Sequence, residues 1–132
     1  MTRLILAIAL LFSTPAWAEE VLYCQSELAT GLYKENGRWQ TANFTLERYT
    51  VKFNDDYSVM SGLTMGGVRC HKPYSTFPEI VCNDTIKKRD VGRTFNYNPK
   101  TNRFIYTIVG TSGYIMNTSD TDVIYAGTCQ KF

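Results

Sequence analysis

His71 is the single histidine among 132 residues. A Ser–His–Asp triad or a histidine-rich metal centre would have to be built on it. Neither a Gly-x-Ser-x-Gly elbow nor a His-Glu-x-x-His helix accompanies it, so it reads as a partly exposed loop residue beside Cys70. Met60, Met65 and Met116 offer soft donors that could join it around copper, but methionine is also the ordinary filler of core gaps. Paired carboxylates occur at Asp55-Asp56 and at Asp120 with Asp122. Such pairs run glycoside hydrolysis when about 5 to 9.5 Å apart. Both pairs lie among Asn, Ser and Thr, where Asp bonds its own backbone in a solvated turn, and neither has the spacing of a calcium-binding EF-hand. No metal or other cofactor is expected.

Binding chemistry is better represented. Lys87-Lys88-Arg89, with Arg93 nearby, is the one charge cluster. It suits an acidic partner, a polyanionic glycan or an anionic headgroup as well as it suits a solvated edge. Tyrosine, of which there are nine, is enriched at interfaces because it joins a large rigid surface to a polar tip. Tyr74 and Tyr114, outside the clearest strand patterns, join the basic residues as candidate contacts.

The four cysteines, Cys24, Cys70, Cys82 and Cys129, lack the close pairing of structural zinc ligands. An even count in an exported chain reads as two disulfides. Of three connectivities, Cys70–Cys82 with Cys24–Cys129 is favoured, closing a short loop and tying the first strand to the last.

Export is written at the start. Arg3 precedes the apolar run Leu4 to Phe12, Pro15 breaks it, and Ala16-Trp17-Ala18 places small residues where signal peptidase reads. This pattern predicts a secretory leader over residues 1–18, cleaved before Glu19; nine apolar residues are too few to span a bilayer. A single soluble domain, residues 19–132, is expected in the periplasm of a Gram-negative bacterium or outside the cell. Loss of Arg3 leaves 13 Lys and Arg against 12 Asp and Glu. That balance excludes a strongly basic nucleic-acid binder and a highly charged disordered chain.

The elements that position these residues are strands. After the leader the chain has three alanines and five leucines against 14 threonines, eight valines and nine tyrosines, a composition suited to a pleated, half-buried surface. Arg48 to Phe53 and Arg103 to Val109 alternate apolar and polar residues with period two. Asn36-Gly37 predicts a two-residue hairpin turn. Asn54-Asp55-Asp56 divides the Tyr49 strand from one at Tyr57 to Met60, and Asn98 to Asn102 marks another turn. Gly110 to Gly113 and Asn117 to Asp122 mark the last two. About eight short strands in a small antiparallel barrel or sandwich follow. Tyr33, Trp39, Tyr49, Phe53, Tyr97, Phe104 and Tyr106 are its expected core.

Tyr23-Cys24, Gly31-Leu32-Tyr33, Trp39, Phe44, Val81-Cys82, Phe95-Asn96-Tyr97-Asn98, Arg103-Phe104, Gly113-Tyr114 and the ending Gly127 to Phe132 together form a layout. It resembles small exported proteins of proteobacteria described as hypothetical periplasmic proteins. The resemblance implies an exported, disulfide-linked β domain and carries no catalytic residue. In architecture the chain is also similar to periplasmic lysozyme inhibitors, such as the membrane-bound C-type lysozyme inhibitor family. It lacks their Ser-Gly-x-x-Tyr and Phe-Trp-x-Lys-Gly segments and keeps only Ser112-Gly113-Tyr114. The expected function is binding, to an envelope protein as partner or inhibitor, or to a small ligand in a barrel mouth. The rivals are a small envelope hydrolase using His71 or a carboxylate pair, and a structural envelope component.

Overall fold

A computed structural model describes residues 19–63, 65–84 and 91–132. The expected leader lies outside them, as do Lys87, Lys88 and Arg89. Among the described residues nine strands form one antiparallel sheet: β1 (Glu20–Glu35), β2 (Arg38–Asn43), β3 (Arg48–Phe53), β4 (Val59–Gly62), β5 (Met65–His71), β6 (Ile80–Asp84), β7 (Val91–Asn98), β8 (Arg103–Gly110) and β9 (Asp122–Lys131). Pairing of β9 with β1 closes β1 and β3 to β9 into an eight-stranded barrel, leaving β2 as an extra strand.

β1 makes this possible by being long. One edge pairs β9 from Leu22 to Leu32, while the other takes β3 below, at Glu20 to Gln25, and β2 above, at Thr30 to Glu35. Glu27 is the extra residue of a bulge between Ser26 and Leu28, the device that bends a strand at a barrel corner. There the backbones of β1 and β9 approach so closely that a Cβ on Gly127 would lie 2.0 Å from the Gln25 carbonyl oxygen. Ser26, fully buried, ties down the β2–β3 connection: its N–H donates to the Glu47 carbonyl at 2.9 Å and its Oγ accepts from the Glu47 N–H at 2.6 Å.

Alternation fills the interior as period two requires. Leu22, Val51, Phe53, Met60, Ile80, Phe95 and Tyr97 are all but fully buried. Stacked rings layer the core, Phe95 on Phe104 at 5.4 Å and Phe53 on Tyr97 at 5.8 Å. Both disulfides join residues opposite one another on neighbouring strands, Cys24–Cys129 across β1 and β9 and Cys70–Cys82 across β5 and β6. They suit an oxidising extracellular compartment.

Several expectations need correction. Tyr33 and Trp39 are only half-buried and lie outside the core cluster, because β2 stands outside the ring and the upper part of β1 faces it. Tyr125, by contrast, is buried. The strand expected from Tyr57 begins at Val59, since Tyr57 turns into the left-handed region at φ 57. The two last turns are one connection between β8 and β9, containing a helical turn at Thr111–Ile115 that is kinked at Gly113. Asp122 is buried and accepts from the Tyr114 N–H at 3.2 Å, so it holds this connection instead of standing in solvent.

Candidate functional site

The strand directions give the barrel two unlike ends. At the base lie the start of β1, the ends of β3 and β9, and the β3–β4, β5–β6 and β7–β8 connections. The Tyr57 hydroxyl there donates to the Glu20 carboxylate, which also faces Lys131 Nζ at 3.1 Å, and the Tyr57 ring packs on Phe53 at 5.2 Å. Beside it Tyr97 donates to Asn102 Oδ1 at 3.0 Å, and burial, with some help from Glu20, pushes its phenol up to about 12. This end is packed and internally bonded.

The opposite end is a mouth. A cavity of about 360 Å³ is lined by Tyr49, Leu63, Arg93, Tyr106, Ile108 and Tyr125 with parts of Glu47 to Thr50. Each ring comes from a different strand by alternation. Tyr49 precedes Val51 and Phe53 on β3, Tyr106 lies between Phe104 and Ile108 on β8, and Tyr125 follows Val123 on β9. The three rings form a triangle, with Tyr49 edge-on to Tyr106 at 5.5 Å and to Tyr125 at 5.9 Å, and Tyr106 stacked on Tyr125 at 6.1 Å. Leu63 joins them from a left-handed backbone, φ 56, a conformation that is uncommon for a bulky residue.

Polar groups at this end are less well matched than at the base. The Tyr49 hydroxyl, Arg93 Nε and Asp84 Oδ2 are buried without a hydrogen-bond partner among the described residues. Asp84 and Arg93 are opposite one another in the β6–β7 register. Burial pushes all three phenols up. Glu47, Tyr125 and Tyr106 push Tyr49 further; for Tyr106 the nearby Arg93 works against burial, while Tyr125, Asp84 and Glu47 act with it. The tyrosines are therefore neutral hydrogen-bonding groups at ordinary pH. A stack of rings beside an unmatched Arg93 Nε, Tyr49 hydroxyl and Asp84 Oδ2 can hold a planar body with polar groups.

The sequence-derived candidates scatter. Arg93 sits on β7 at the mouth, half-buried, on the inward parity of Phe95 and Tyr97. Tyr114 is exposed in the β8–β9 connection at the same end, edge-on to Trp39 at 5.2 Å. Trp39 in turn donates to Asn117 Oδ1 at 3.1 Å. Tyr74 is exposed at the base, paired with Phe77 at 5.8 Å. The structure thus brings Arg93 to the mouth and keeps Tyr74 away from Tyr114. His71 ends β5 as an exposed strand residue at the base. Asp56 accepts from Asn54 Nδ2 and the Ser58 N–H as turn Asp residues do. Among the described residues no group of three or more His, Cys, Asp or Glu is placed to hold a metal ion.

Sequence reasoning passed over Tyr125 and Asp84. Their signal was parity: Asp84 continues Ile80 and Cys82, and Tyr125 lies between Val123 and Cys129, as inward positions of their strands. A second concavity, a groove of about 440 Å³, lies on the outer wall, where Leu28, Phe77, Ile105 and Ala126 meet Glu27, Glu79 and Arg103. Ile105 is 47% exposed and Leu28 69%. In comparisons with protein-family models, with curated proteins and with solved structures, nothing matches this chain.

Proposed function

We propose that this is an exported binding protein, working in the periplasm or outside the cell, that takes a small ligand into its tyrosine-lined mouth. The observation that carries the reading is the coincidence of a cavity of about 360 Å³ with buried polar atoms that lack partners among the described residues. Buried donors and acceptors are normally satisfied, and each exception calls for an explanation. Eight-stranded barrels are of a size that holds one small ligand. The two disulfides and the expected leader support export. Native mass spectrometry of the oxidised protein, recovered after export of the full chain, tests this. A retained small molecule is expected, and it should be lost when Ile108→Trp fills the mouth. Equal retention by the two proteins would contradict the reading.

A second reading is supported by the outer groove. Exposed Leu28, Phe77 and Ile105 around it form an apolar surface of the kind that meets protein partners, such as an envelope protein that this chain would inhibit. Ile105→Asp would then abolish capture of that partner while leaving mouth ligands bound.

A further inference from the structure

Resting on the reading of the mouth as a small-ligand site, we infer that its ligand is a neutral planar ring with an amide edge. The carbonyl oxygen of that edge accepts from Arg93, the adjoining N–H donates to Asp84, and the ring lies on the tyrosine wall. Three features lead there.

The first is the placing of Arg93 and Asp84. Successive inward pairs climb β6 and β7, from Ile80 opposite Tyr97 to Cys82 opposite Phe95 and then Asp84 opposite Arg93. Side chains opposite one another on one face of antiparallel strands have Cβ atoms about 4.5 to 5.5 Å apart. Arg93 lines the mouth, so its partner in register stands at the same rim. The charges of both reach the Tyr106 phenol, Arg93 pulling its pKa down and Asp84 pushing it up.

The second is what these two lack. Arg93 Nε is a buried donor and Asp84 Oδ2 a buried acceptor, each without a hydrogen-bond partner among the described residues. No ion pair joins the two there. Side by side they call for one acceptor and one donor on neighbouring atoms. An amide within a ring presents that pair, C=O next to N–H, and can meet both groups at once. A ligand that supplies only one of the two leaves a buried group unmatched and loses affinity.

The third is charge. Around the cavity Glu47 and Asp84 stand with Arg48 and Arg93, two carboxylates against two guanidiniums among the described residues. That balance gives neither an anion nor a cation a net attraction. A neutral ring makes both hydrogen bonds without bringing a charge out of water. Tyr106 and Tyr125, stacked on each other, with Ile108 and Leu63 supply flat and aliphatic faces for it to pack on.

The test uses α-pyridone, N-methyl-α-pyridone, benzoate and benzylamine as probes of the oxidised protein recovered after export of the full chain. Calorimetry and the NMR signals of the tyrosine rings are the readouts. The α-pyridone, with both C=O and N–H, should bind roughly tenfold or more tighter than its N-methyl derivative, which leaves Asp84 unmatched, and tighter than either charged probe. Asp84→Ala should bring the two pyridones to equal affinity, and Asp84→Asn, which keeps an acceptor, should restore part of the gap. Near-ultraviolet circular dichroism checks that each variant is folded. Equal binding of the two pyridones by the unaltered protein, with the mouth tyrosine signals moving, would overturn the amide-edge assignment while leaving the mouth as a ring site. A gap that survives Asp84→Ala would be steric and would overturn the assignment as well. Tighter binding of benzoate or benzylamine would overturn it in favour of a charged ligand. If none of the probes moves the Tyr49, Tyr106 or Tyr125 signals, both the assignment and the reading beneath it fail.

Discussion

At the scale of single residues, the mouth trades stability for unmatched polarity. A buried hydroxyl without a partner costs about 1 to 3 kcal/mol, and among the described residues Tyr49 carries one. Tyr49→Phe should therefore stabilise the protein by about 1 kcal/mol in urea unfolding while weakening any ligand that uses the hydroxyl. Unchanged or lower stability would mean that the hydroxyl is satisfied. Tyr97 makes the opposite case at the base. Its phenol is pushed from the ordinary 10.0 up to about 12 by burial. A raised pKa favours the neutral folded form, so this contribution is intact below pH 10 and is lost as the pH climbs from there through about 12. Melting temperature should fall over that window, and Tyr97→Phe should flatten the fall. Arg93 shows what was readable at this scale. Grouped with Lys87 to Arg89 it looks like part of a basic loop, but its parity with Phe95 and Tyr97 puts it on the inner face.

At the scale of elements, alternation was readable wherever a strand had one wet face and one packed face, as in β3 and β8. It misled at β2, because a strand outside the ring has no interior to face, and so Trp39 packs on the β8–β9 connection instead. Asn36-Gly37 turned as expected, with φ 49 and 76, between Glu35 and Arg38. The bulge at Glu27 has no composition signal on β1; its mark is Gly127 on the facing strand. Gly127→Ala would drive a Cβ into the Gln25 carbonyl and should cost about 3 kcal/mol, near the upper end of single-residue effects. Wild-type stability in that variant would show that the bulge can relax.

At the scale of the whole molecule, closure depends on β1 meeting β9, and Cys24–Cys129 fixes that seam across a sequence separation of 105. The chain-entropy model gives it about 4 to 5 kcal/mol, against about 3 for the short Cys70–Cys82 closure. Replacing Cys24 and Cys129 by Ser should thus lower stability more than replacing Cys70 and Cys82, a ranking that paired denaturant titrations would reverse if local strain dominated. Of the three connectivities that four cysteines allow, the one favoured from their spacing is the one formed. The mouth was not legible in this way, because it is assembled from strands far apart in sequence, and which inward tyrosines share one end depends on strand direction and register. Where a ligand lands tests the mouth most directly. NMR spectra of the tyrosine rings, recorded as a mixture of small ring compounds is added, should show Tyr49, Tyr106 and Tyr125 shifting together while Tyr57 and Tyr97 at the base stay still. Shifts confined to Tyr74 and the outer groove, or equal at both ends, would contradict it.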